Sequence, residues 1–391
     1  MDCKKTMANC FFDSITMALC EMSGISMVPR HVSCMNTQEK LLNKRIIGVD
    51  FLRLVCMYMI VVHHILFHGG ILYQAEPGST SYCFAWMLNT LCYCSVNAFG
   101  IISGLVGYKS RHSTKGMMAL WLAVFFWSLL LGIIGWVFGI IPFTPLKVMT
   151  VCFPVTFGLY WYFSAYCCLY FIMPAIDVAV EHLSGRRLVA MIIALLFMFF
   201  VANRLQTSIG VGHGYRFVWL AYLYFVGASL SKYNICARIQ FSGKGCLAFG
   251  YFLTALLVFA SHYLLLSLNR LLSRHNEGRL LSNYNSPFML LEALFLLTWF
   301  YGLKLKALSH WIGKMSACAF GIYIIHQHPT IEKALFKDNA VWMLSYNPLA
   351  MIACVLLMGW GIYLACLLLE YYRSRLFLLL SKTIPIHKLF T

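Results

Sequence analysis

Charge is scarce in this chain, and acid is scarcer than base. Only 11% of the 391 residues are charged, with 13 Asp and Glu against 30 Lys and Arg. Hydrophobic residues make up 61% and the mean hydropathy is +0.76, so too little polar surface is left to keep a globular domain in water. A soluble enzyme is thereby excluded. Also lacking is any Cys-x-x-Cys pair: the 16 cysteines are scattered, and many, such as Cys56, Cys167 and Cys168, lie inside apolar runs. Neither a disulfide framework nor a zinc site is indicated, and Cys92-Tyr93-Cys94 reads as helix packing. No internal repeat is visible, so the paired halves of many secondary transporters are missing. The net charge of +17 sits in short loops and forms no long basic arm, which argues against nucleic acid as a partner.

What is present is a succession of apolar runs of about 20 residues, the length a helix needs to cross a bilayer, rather than the short alternating strands of a barrel. The expectation is an all-α, polytopic membrane protein. About ten spans are placed on residues 47–68, 83–107, 118–140, 157–176, 188–203, 216–231, 247–267, 287–303, 312–327 and 342–370. Residues 1–44 hold a moderately apolar patch, Met7 to Val28, broken by Asp13, Glu21 and Gly24; they read as a surface-lying or disordered leader. Residues 45–371 form the membrane domain and 372–391 a basic tail.

Loop charge sets the expected orientation. Lys40, Lys44 and Arg45, then Lys109, Arg111 and Lys115, then Arg186 and Arg187, then Lys232, Arg238 and Lys244, then Lys304 and Lys306 fall in alternate loops. With Arg373, Arg375, Lys382 and Lys388 in the tail, the positive-inside rule puts both termini in the cytoplasm. Two outer loops break the trend, with Arg204 and Arg216 in one and Arg270, Arg274 and Arg279 in the other. These are either tolerated exceptions or a surface for an acidic or polar substrate.

The chemistry concentrates where polar groups enter apolar runs. The first span carries Asp50, Arg53, His63 and His64. Such groups are costly in hydrocarbon unless they face a cavity or a partner. Arg53 and His64 are eleven residues apart, nearly the same helix face at a separation of about 16 Å. Asp50, one turn before Arg53, is close enough to pair with it. Read singly, Arg53 is a snorkelling residue and His64 a packing residue; two on one face point to an active site. The ninth span brings His326 to a depth like that of His64, and a histidine takes a proton from a hydroxyl without a large pKa shift. Trp161, Tyr162 and Tyr166 lie at the outer part of the fourth span, Tyr284-Asn285-Ser286-Pro287 opens the eighth, and Glu292 lies about one turn inside it. Phe99 to Gly104 is a small-residue run that lets helices approach or leaves a slot for a ligand. His64, His68, His326 and His328 lack an acidic ligand cluster, so no metal is expected. Gly210 to Gly214 reads as a flexible loop with no nucleotide fold around it.

Arg53 followed by ten residues and His64, in the setting Asp50-Phe51-Leu52-Arg53, resembles the Arg-x10-His signature of the membrane-bound acyltransferase-3 family. Phe99 to Gly104, Trp161 to Pro174 and Ser316 to His328, with Tyr323, are similar to three further elements of that family. Tyr284 to Pro287 and Ile325 to Pro329 are most similar to members found beside polysaccharide assembly genes. The resemblance implies ten helices and transfer of an acyl group, usually acetyl from acetyl-CoA, to a hydroxyl of a carbohydrate or lipid-linked glycan. It places catalysis on Arg53, His64 and His326; on physical grounds the acyl-CoA donor is expected near Arg53, Ser103 and Gly104, and the acceptor near Trp161, Tyr162, Tyr166, Glu292 and Tyr323. His64 would act as base or as a transiently acylated nucleophile. Asn97-Ala98-Phe99-Gly100, where a paired aromatic is usual, and Glu292 depart from the family pattern. The expected setting is a cell membrane, bacterial inner or plasma. A transporter using the same buried Arg, His and Glu as a relay is the rival reading.

Overall fold

A computed structural model describes residues 45–110, 112–205, 211–239, 243–272 and 281–383. The expected leader 1–44, Arg111, Gly210, Arg274, Arg279 and Lys388 lie outside the described residues. Among those described, the chain is helical and has no strand. We number the principal helices α1 Ile47–His68, α2 Thr80–Tyr93, α3 Ser95–Gly107, α4 Thr114–Val137, α5 Pro145–Cys152, α6 Trp161–His182 and α7 Gly185–Arg204. There follow α8 Phe217–Lys232, α9 Lys244–Leu271, α10 Pro287–Tyr301, α11 Ser309–Ser316, α12 Ala319–His326 and α13 Pro348–Thr383.

Among the described residues seven stretches are long and apolar enough to cross a membrane, and α8 and α10 are shorter apolar helices. The expected ninth span over 312–327 is not one helix: it is divided into α11 and α12 at Ala317 and Cys318. The chain ends α12 firmly, because His328 is extended (φ −64°, ψ 137°) ahead of Pro329, the conformation a following proline favours.

The chain divides into two compact units. Of the described residues, the first contains 45–52 together with those within 93–112 and 161–307. Its centre is the crossing of α3 and α8, made close by glycine: a Cβ on Gly104 would strike the backbone of Tyr224 and Ala228, and one on Gly227 the backbone of Ile101 and Leu105. Of the two uses the small-residue run allowed, close helix approach is the one Gly104 serves. At one end of this unit Lys232 Nζ donates to the carbonyls of Val180, Glu181 and Leu183 at 2.9, 3.0 and 2.9 Å, closing the C-terminus of α6. Beside it Tyr224 donates to Asp177 at 2.9 Å, His112 Nε2 lies 2.9 Å from the other Asp177 oxygen, and Tyr108 donates to Glu181.

The second unit contains residues 53–92, 113–160 and 308–383 of those described. Its buried polar anchor is Glu370 on α13, which accepts from Trp127 Nε1 of α4 at 2.7 Å and from Arg373 at 2.8 and 2.6 Å. Gly321 of α12 faces that carboxyl with no room for a side chain. One residue thus ties α4, α12 and α13 together, and it leaves α12 to present its last turn to α1.

Candidate active site

The second unit brings the histidines of α1 to the end of α12. His64 Nδ1 lies 2.9 Å from His326 Nε2, and His326 Nδ1 lies 2.6 Å from the carbonyl oxygen of Ile322. A carbonyl only accepts, so His326 carries its proton on Nδ1 and its Nε2 is a lone-pair acceptor. The proton between the rings therefore belongs to His64 Nδ1. This leaves His64 Nε2 as the basic nitrogen of the pair. His326 is fully buried, while His64 is partly open. The Gln327 amide nitrogen Nε2 stands 3.1 Å from His64 Nδ1, and with the proton assigned to that ring nitrogen the amide must turn over to present its oxygen there.

Two more histidines of α1 hold this pair in place. His63 Nδ1 lies 2.7 Å from Asn89 Oδ1 and donates to it, fixing the ring beside His64 at a centroid separation of 5.3 Å. His68, one turn after His64 with ring centroids 5.2 Å apart, meets Glu332 at 3.2 Å from Nδ1 to Oε1. The hydrogen bond from His68 holds the Glu332 carboxyl below the ordinary carboxylate range, and Lys333 and Lys337 add to the effect. Backbone bonds complete a clasp between the end of α1 and the segment after α12: Asp338 N–H donates to His68 O at 3.0 Å and Ala340 N–H to Gly69 O at 3.1 Å. Gly70 takes a left-handed turn (φ 90°) where Val341 and Asp338 approach, a place open only to glycine.

Of the residues singled out from sequence, Arg53, His64, His326 and Tyr323 fall in this unit. Tyr323 is buried, its ring edge-on to His326 at 6.2 Å. Arg53 is half-buried on α1, three turns before His64. Asp50 is buried and accepts from Arg45. Among the described residues no group of three or more His, Cys, Asp and Glu is placed to hold a metal ion.

Ser103, Gly104, Trp161, Tyr162, Tyr166 and Glu292 fall in the other unit. Ser103 donates to Phe99 O at 2.9 Å. Glu292 is wholly buried. Trp161 joins an aromatic cluster with Tyr215 at 4.8 Å and Tyr284 at 6.3 Å, and Tyr93 stacks on Tyr284 at 4.1 Å with planes 3° apart. Asn97 locks this corner by donating to Tyr284 O at 2.8 Å and accepting from Trp219 Nε1 at 3.0 Å.

Sequence reasoning missed Glu332, Gln327, Tyr93 and Tyr215 and gave His68 no role beyond a metal ligand. His68 was signalled by its i, i+4 spacing from His64. Nothing local marks Glu332 as a partner of α1.

No curated protein and no solved structure matches the chain. The model of the acyltransferase-3 family, described as an acyltransferase domain, matches residues 46–380, which span both the histidine pair and Glu370. The chain therefore belongs to the acyltransferase-3 family of membrane acyltransferases.

Proposed function

We propose that this acyltransferase moves an acetyl group from acetyl-CoA to a hydroxyl of a cell-surface or lipid-linked glycan. The observation that carries the reading is the polarity of the histidine pair: Ile322 O fixes the proton on His326 Nδ1, His326 Nε2 takes the Nδ1 proton of His64, and His64 Nε2 is left to act. His64 withdraws the hydroxyl proton as the acceptor oxygen adds to the thioester carbonyl. As the C–S bond breaks, His64 returns that proton to the departing sulfur, so the exchange of thioester for ester balances without an outside acid or base. His326 steadies the imidazolium that exists between those two transfers. The guanidinium of Arg53 suits the polar, phosphate-bearing end of the donor, which is made in the cytoplasm. The half-buried Trp161, with Tyr162, Tyr166 and the neighbouring Tyr215 and Tyr284, offers ring faces and hydroxyls to a neutral sugar.

The test is turnover by the purified protein in liposomes. With acetyl-CoA and a glycan extract, free CoA should appear together with acetylated glycan detected by mass spectrometry, and His64→Ala and Arg53→Ala should abolish both while still inserting. Full activity in the His64 variant, or solute movement without thioester consumption, would overturn the reading.

A further inference from the structure

An aromatic step leads outward from the histidine pair, all of it within the second unit. His63 and His68 flank His64, and Phe67 touches both: its ring centroid lies 5.6 Å from that of His63 and 5.1 Å from that of His68, edge-on to the latter. Tyr73 continues the step, edge-on to Phe67 at 5.1 Å. Exposure rises along it: His63 is buried, Phe67 and His68 are half-buried, and Tyr73 is 52% exposed. The backbone under Tyr73 is fixed. Its short helix, Ile71–Gln74, is seated by the buried Ile71 and Leu72 and entered through the left-handed Gly70, whose carbonyl accepts from the Gln74 N–H at 3.0 Å.

Position and polarity say what this step accepts. A reacting hydroxyl has to come within about 3 Å of His64 Nε2, so the ring that carries it lies against whatever borders His64. The borders that are open are His68, Phe67 and, through Phe67, Tyr73; His63 and His326 are buried. Polar acceptors stand beside the rings. A carboxylate only accepts, so the His68 proton sits on Nδ1, toward Glu332, and Nε2 of the neutral ring is left as an acceptor. The Glu332 carboxylate, 36% exposed, also accepts. Negative ring faces next to acceptors match a ligand that brings C–H faces and hydroxyl donors together, which is the surface of a sugar. An exposed tyrosine at the end of a span is commonly a boundary anchor, but an anchor has no need to pack, through one phenylalanine, on two histidines beside the base.

We propose that Phe67 and Tyr73 form the subsite for the sugar being acetylated, an assignment that rests on acetyl transfer to a glycan. Tyr73, the most exposed ring of the step, is its specificity-determining residue. The pyranose lays its C–H face on that ring, hydroxyls next to the reacting one donate to His68 Nε2 and to Glu332, and the reacting hydroxyl is turned to His64 Nε2. Neither Phe67 nor Tyr73 moves a proton or meets the acetyl group. The step holds the sugar in register, so it acts on acceptor binding and leaves the donor alone.

Steady-state CoA release by the full-length protein in liposomes, with acetyl-CoA and the glycan extract varied in turn, separates the two substrates. Tyr73→Ala is expected to raise the acceptor KM about tenfold and to leave the acetyl-CoA KM within about twofold, the pattern of lost acceptor binding. Tyr73→Trp keeps a ring face and should stay within about threefold of the wild type for both substrates. Tyr346→Ala, at a similarly exposed tyrosine of the same unit, should move neither value. A boundary anchor behaves otherwise: its loss lowers the inserted fraction or the unfolding midpoint and leaves the acceptor KM of the folded protein unchanged. That outcome, or an equal rise in both KM values, overturns the subsite while acetyl transfer to a glycan stands. A wild type that consumes no thioester when glycan is supplied overturns the transfer itself, and the subsite with it.

Discussion

Glu332 reaches His68 at 3.2 Å and so fastens the segment after α12 to the last turn of α1, one turn beyond the histidine that faces His326. Because the folded-state pKa of Glu332 is depressed, the stabilisation it supplies is fully present above the ordinary carboxylate value and is lost as pH falls through the lowered one. Thermal unfolding in detergent across acidic pH should show this directly. Glu332→Gln is expected to lower the midpoint near neutrality and to have no effect once the wild-type carboxyl is protonated, so the two curves converge at low pH. A constant offset at all pH values would assign the loss to packing instead.

The assigned proton on His326 makes a graded prediction. His326→Ala leaves the Nδ1 proton of His64 without its acceptor, and acetyl transfer should fall by about 10²-fold or more, the range of a general-base contribution. His326→Gln keeps a carbonyl oxygen that can accept that proton and should recover part of the rate. Steady-state CoA release by the two variants distinguishes them, and equal loss in both would argue that the ring itself takes the proton.

At the crossing of α3 and α8, Gly104→Ala sets a methyl against the backbone of Tyr224 and Ala228, which cannot rotate away. Overpacking of this kind costs about 1–3 kcal/mol. A lowered unfolding midpoint and a smaller folded fraction on gel filtration are expected. Gly139→Ala adds a Cβ with nothing within 4 Å, so it reads the left-handed backbone (φ 64°) alone.

Breaking the Glu370 anchor should be costlier. Glu370→Ala leaves the Arg373 guanidinium buried without its carboxylate, a change worth about 3–5 kcal/mol in comparable buried pairs. Trp127→Phe removes one neutral-to-charged hydrogen bond and should cost about 1.5–3 kcal/mol. Denaturant titration of the two variants ranks them, and a larger loss for Trp127→Phe would contradict the role given to the ion pair.

The nearness of His64 and His326 was legible because both stand near the C-terminal ends of apolar helices expected to run the same way across the membrane, and so at the same expected depth. Helix periodicity alone reaches that far. It also gave α1, α4, α6, α7 and α9 close to their observed ranges, since long apolar runs leave few alternatives. The division of the ninth span was hidden, because Ser316-Ala317-Cys318 contains neither proline nor glycine to mark a break. The partnership of His68 with Glu332 was hidden for another reason: it joins residues far apart in the chain, and only the packed fold brings them together. Gly104 was legible as a small residue but not in its use, which depends on a second glycine in α8.

The backing of His64 by an imidazole seated on the Ile322 carbonyl has a consequence for where this chemistry can be housed. A carboxylate in the place of His326 would orient the ring equally well, but it would be a permanent ion in a low-dielectric interior and would demand a counter-ion of its own. A peptide dipole and two neutral heterocycles do the same work electroneutrally at rest. Charge then exists only while a proton is in transit, which is what lets a base be built inside an apolar bundle without another acid or base to neutralise it.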